Sequence, residues 1–209
     1  MLGAGQYEEA AQALHDDMPP GAFNEALENH FGDHDDRILS GPVQLLPYMF
    51  DVAIATTNYD DVIKKCFEQA EKSTPDTVHG CDGGEISRDL GSGRKILFKL
   101  HGTSMSGRGQ ILTQAEYDQQ YGEGELQAVI EALCSKTLLF MGASLTIDRT
   151  LSAMENLVQT KGPDNVARHY AFLPLDDENE RLNRRDQLAR CNIFPIWYSN
   201  GDHDEAIEA

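Results

Sequence analysis

The sequence lacks the marks of several large protein classes. Its four cysteines, Cys66, Cys81, Cys134 and Cys191, form no C-x-x-C pair, which argues against a zinc ribbon, and no metal is expected. Scattered on apolar elements, they read as reduced core residues of a cytoplasmic protein. No apolar run approaches the roughly 20 residues that span a bilayer. The start of the chain carries Glu8, Glu9, Asp16 and Asp17 early and has no secretory-leader pattern. Positive charge is scarce: 17 Lys and Arg stand against 35 Asp and Glu, a net charge of −18. Such a surface repels nucleic-acid phosphates and anionic membranes, which argues against direct contact with either. A phosphate-bearing ligand must therefore be held locally, by backbone N–H groups or a few cations.

What is present is an alternation. Residues 6–15 and 22–31 have helical composition on either side of the Pro19-Pro20-Gly21 break, and 41–50 holds a short helix. From residue 52 the texture changes. "VAIATT" (52–57), "KILFKL" (95–100), "TLLFMG" (137–142), "HYAFLP" (169–174) and "IFPIWY" (193–198) are near-continuous apolar runs of strand length. Helical spacing separates them, at 60–71, 113–122, 125–135, 148–160 and 177–191. Residues 73–94, rich in Gly, Ser, Asp and Thr, read as a loop or small hairpin, with His79-Gly80 as a turn. Five apolar strands alternating with helices predict an α/β domain with a mostly parallel sheet covered on both faces. The chain reads as one domain, helical over 1–50 and sheet-forming over 51–209. Its final "HDEAIEA" looks like a helix cut short, so the chain is expected to be part of something longer.

In such a sheet, ligands bind beyond the carboxyl ends of the strands. The residues that follow the strands are Thr57-Asn58-Tyr59-Asp60, His101-Gly102-Thr103 and Gly142-Ala143-Ser144. An amide, a carboxylate, an imidazole and a hydroxyl thus share one expected edge. Each has a plainer reading as well. Asn58 or Asp60 caps the following helix, Ser144 or Asp148 caps the helix near 148, and His101 is a core histidine. Asp176 and Asp177 read as a helix N-terminus.

"TTNYD" (56–60), "KLHGT" (99–103) and "MGASL" (141–145), in that order, resemble the sirtuin signatures T-Q-N-I-D, L-H-G and G-T-S-L. "ILTQAEYDQQY" (111–121) and "FMGASLTIDRTL" (140–151) are more similar still to the sirtuin-like domains of bacterial anti-phage defence proteins. The resemblance covers roughly residues 50–200. It implies a Rossmann-like domain that uses NAD as its substrate, with Asn58 and His101 catalytic and Thr57, Asp60, Gly142 and Ser144 binding the dinucleotide. Asn58 would orient the nicotinamide ribose or the attacking water, and His101 would lie at the ribose hydroxyls.

Two departures shape the expectation. Deacylating sirtuins carry a four-cysteine zinc module that helps form the acyl-lysine groove, and this chain has no such spacing. NAD hydrolysis is therefore expected ahead of protein deacylation, with a catalytically silent scaffold as the alternative. The family's opening strand and glycine loop are matched only by Gly3-Ala4-Gly5, which reads here as a helix start. The resemblance further implies a domain held silent until self-assembly or a protein partner releases it, such as an Argonaute-like or translocase-like sensor subunit.

Overall fold

A computed structural model describes residues 6–32, 40–49, 53–80, 82–104, 110–122, 124–146, 149–175 and 177–208. Contacts cluster into two compact units, Met1–Glu125 and Leu126–Ala209.

In the first unit, helices α1 (Gln6–Asp17), α2 (Ala22–Phe31) and α3 (Leu46–Met49) precede β1 (Ala53–Thr56) and α4 (Val62–Gln69). Then come β2 (Asp76–His79), α5 (Gly83–Ser92), β3 (Ile96–Lys99) and α6 (Gln114–Gln120). Both β1 and β2 pair in parallel with β3, giving the order β1-β3-β2. The middle strand is shielded on both faces, so its whole sequence is apolar up to Lys99, and Ile96, Leu97 and Phe98 are fully buried. Each such side chain contributes about 1.5–3 kcal/mol relative to an exposed one. Cys66, Phe67 and Ile86 are buried on α4 and α5, while Ala11, Phe23 and Leu27 form a separate small cluster under α1 and α2.

The stretch 73–94 corrects the expectation of a loop. It holds β2 and α5, and His79 ends a strand rather than making a turn. β2 escapes pattern reading because an edge strand of sequence Asp-Thr-Val-His carries one aliphatic residue and no alternation. α5 contains Gly83, Gly84 and Gly91 and is held at its start by Asp82, whose carboxylate accepts from the Glu85 N–H at 2.7 Å.

In the second unit, α7 (Glu125–Leu133) leads into β4 (Leu139–Phe140), α8 (Arg149–Lys161), β5 (His169–Leu175), α9 (Glu178–Ala189), β6 (Ile193–Ser199) and α10 (His203–Glu208). The strands pair in parallel in the order β4-β5-β6. Leu151, Met154, Leu157 and Val158 recur at helical spacing on α8 and pack with Ala171, Leu173, Leu188 and Ile193. Asn192, in the turn that leads from α9 into β6, has φ 57°, and its side-chain amide donates to the carbonyls of Val166 (2.9 Å) and Ala167 (3.1 Å). Asp177 caps α9 as expected, accepting from the Asn179 N–H at 2.8 Å.

The chain is thus an α/β protein with a Rossmann-like parallel alternation. Its six described strands form two three-stranded sheets where one five-stranded sheet was expected. Among the described residues, no helix is long and apolar enough to cross a membrane.

Candidate functional site at the strand ends

Parallel pairing decides which residues leave the first sheet together. Thr56 is in register with Lys99, and His79 pairs with the same Lys99. The Leu100 N–H continues the ladder to the Thr56 carbonyl at 2.9 Å, and the Gly80 N–H donates to the Lys99 carbonyl at 3.1 Å. Thr57, Asn58, His79 and His101 therefore all lie at or just beyond the carboxyl edge of β1-β3-β2. Thr57 and Asn58 are exposed there.

His101 is half-buried, and its ring meets Tyr117 of α6 edge-on at 5.3 Å between centroids and Tyr121 at 6.3 Å. The Tyr117 hydroxyl lies 3.4 Å from His101 Nδ1. Burial holds the imidazole well below its ordinary value, to about 4, so it is neutral at pH 7. Gly102 follows with φ 79°, a conformation that favours glycine, and turns the chain back with its N–H on the Lys99 carbonyl at 3.1 Å. The His101 carbonyl accepts from Ile111 N–H at 3.2 Å, and the Tyr59 hydroxyl donates to the Ile111 carbonyl at 2.6 Å. His101 and the loop after β1 are in this way tied to one returning segment.

Asp60 does cap locally. Its Oδ1 accepts from the Val62 N–H, the first of α4, at 3.1 Å. Asn58 donates its own N–H to the Thr56 hydroxyl at 3.1 Å. The residue that sequence reading missed is Lys99. It is fully buried, and its Nζ donates to the Tyr59 carbonyl at 2.9 Å, to the Asp60 carbonyl, and to Asp61 Oδ1 at 3.4 Å. Burial lowers its pKa, and the Asp61 carboxylate partly offsets that loss. A signal was available. A lysine closing an all-apolar middle strand has no water to reach and must find acceptors nearby.

Gly142 and Ser144 belong to the second unit, where they follow β4 at its carboxyl end, and both are exposed. Gly142 has φ 68° and open space where a Cβ would stand. Ser144 Oγ lies 3.4 Å from Thr146 Oγ1, and the Ser144 and Leu145 carbonyls both accept from the Arg184 guanidinium of α9. That grip holds Leu145 at φ 48° with its side chain in the core. Gly3-Ala4-Gly5, Cys81, Asp148 and Asp176 lie outside the described residues. Cys66, Cys134 and Cys191 are buried thiols, with that of Cys134 pushed up to about 12 by burial. Among the described residues no cluster of three His, Cys, Asp or Glu side chains stands ready for a metal ion.

A parallel α/β alternation of this kind is the Rossmann-like class of fold, in which ligands bind beyond the carboxyl ends of the strands. A family model described as a SIR2-like domain matches residues 52–196, well over half of the chain, and the chain belongs to that family. Membership ties the chain to NAD. No curated protein matches it.

Proposed function

We propose that the chain is an NAD hydrolase that cleaves the bond between nicotinamide and ribose, and that it serves as the effector of a bacterial anti-phage defence system. The observation that carries the reading is the register Thr56↔Lys99, which delivers Asn58 and His101 to one edge of one sheet. In the reaction, the bonding pair leaves with the nicotinamide nitrogen, which neutralises its pyridinium charge. Water then adds to the ribose carbon and gives up a proton to solvent. Positive charge develops on the sugar as the bond stretches, and the Asp60 carboxylate is suited to stabilise it. The Asn58 amide carries both donor and acceptor and so can fix a water or ribose hydroxyl in one orientation. His101, neutral at pH 7, hydrogen-bonds the ribose hydroxyls rather than acting as a charged group. Thr57 of the same edge is assigned to binding the dinucleotide.

The site needs no metal, and the reading places the protein in the cytoplasm. Activity is expected to await self-assembly or a nucleic-acid-sensing partner protein, with this acidic chain leaving nucleic-acid contact to that partner. One observation favours a second reading, a catalytically silent scaffold: Asp60 already spends one carboxylate oxygen on its own helix. Incubating the full chain with NAD, alone and under conditions that drive assembly, and following free nicotinamide separates the two. Release that Asn58→Ala abolishes supports hydrolysis. Tight NAD binding without release, or neither binding nor release, supports the scaffold.

A further inference from the structure

The loop that carries Asn58 and Asp60 is held from beneath by one side chain. Lys99 ends the middle strand with no exposed surface, and all three of its described acceptors lie in the loop after the neighbouring β1, at the Tyr59 carbonyl, the Asp60 carbonyl and the Asp61 carboxylate. Asp61 occupies the N-cap position of α4 yet makes no side-chain cap bond there. Its carboxylate turns instead to Lys99 and to Lys64, each at 3.4 Å. A buried amine is a costly way to fill space, since an apolar side chain of similar length would pack there without desolvating a charge. What the amine adds is direction. Two consecutive carbonyls aimed at one point fix the peptide planes on both sides of Asp60, and hence the path on which its side chain leaves the loop, while the preceding Asn58 is anchored by its N–H on the Thr56 hydroxyl. The same lysine stands two residues before His101, whose departure is set by the Gly102 turn onto the Lys99 carbonyl.

We propose that Lys99 is a positioning residue, which locks the Asn58–Asp61 loop in register with His101 so that both reach one NAD ribose. The inference rests on the hydrolase reading of this sheet edge. It is tested on the full chain with Lys99→Met, which keeps length and apolar bulk, and with Asp61→Asn, which removes the charged acceptor and leaves both carbonyl bonds. Amide exchange by mass spectrometry and the kinetics of nicotinamide release are measured on each. For Lys99→Met, exchange across 57–62 should rise at least tenfold while peptides from β5 and β6 stay unchanged. Its kcat should fall at least tenfold with KM altered less than threefold. Asp61→Asn should show the same pattern at a few-fold, and it decides the matter if Lys99→Met does not fold.

Unchanged exchange at 57–62, a rise spread evenly over both units, or a loosened loop with unaltered kcat would each overturn the proposal. Wild-type protein that never releases nicotinamide, even when assembled, defeats the hydrolase reading instead. The exchange data then still report whether Lys99 holds the loop.

Discussion

His101 provides the sharpest test of whether the strand-end imidazole is in the environment described. Its ordinary value of 6.5 is lowered to about 4 by burial against Tyr117 and Tyr121. A depressed histidine binds its proton more readily in the unfolded chain, so its contribution to stability is complete above about pH 6.5. It is lost as pH falls from there toward 4, and below 4 both states are protonated and the slope ends. Taking 6.5 and about 4 for the two states, lowering the pH from 7 to 4.5 removes on the order of 2 kcal/mol through this one group. The perturbation is His101→Phe, which keeps a ring against Tyr117 and cannot titrate. Denaturant unfolding of wild type and variant is compared at pH 7 and pH 4.5, so that carboxylates common to both cancel. The wild type should lose on the order of 2 kcal/mol more than the variant. A histidine NMR titration of the folded protein should place the His101 midpoint near 4. A midpoint at 6 or above, or equal acid sensitivity in the two proteins, would refute the buried, neutral imidazole and with it the role given to His101.

Other outcomes follow from the same geometry. Asp60→Asn should change stability by well under about 1 kcal/mol, because asparagine accepts the Val62 N–H as well as aspartate does, yet it should lose most NAD cleavage. Unaltered turnover in both Asp60→Asn and Asn58→Ala would move the scaffold reading to the front. Elemental analysis of purified protein should find no stoichiometric zinc, and a chelator should leave nicotinamide release unchanged. One zinc per chain would revive a deacylase.

Much of the fold was legible because most elements obey their own periodicity. Residues 22–31 form a helix over the expected span, and β3, β5 and β6 fall on apolar runs that middle and paired strands require. β2 and α5 were not legible as hydrophobic patterns, since an edge strand needs little apolar character and α5 buries only Gly83, Ile86 and Asp89. The Asp82 to Glu85 spacing, a helix-start signature, was the available clue. Of the candidate site, the strand-end positions of Asn58 and His101 could be read from where each apolar run stops. The Lys99 strap could not be read from spacing, because its acceptors lie about forty residues upstream and meet it only once β1 and β3 pair.

The shared partner of β1 and β2 has a consequence for how the first sheet assembles. Asp76 and Ala53 both stand opposite Ile96, yet the chain between partners is about twice as long for β1 as for β2. Closing the longer segment costs about 0.7 kcal/mol more chain entropy. The stretch with the least strand-like sequence therefore has the shorter route to its place. Once β2 is docked on one edge of β3, the opposite edge is left for β1. The loop bearing Asn58 and Asp60 is then expected to reach the Lys99 amine last, an order that pulse-labelled amide exchange during refolding would check.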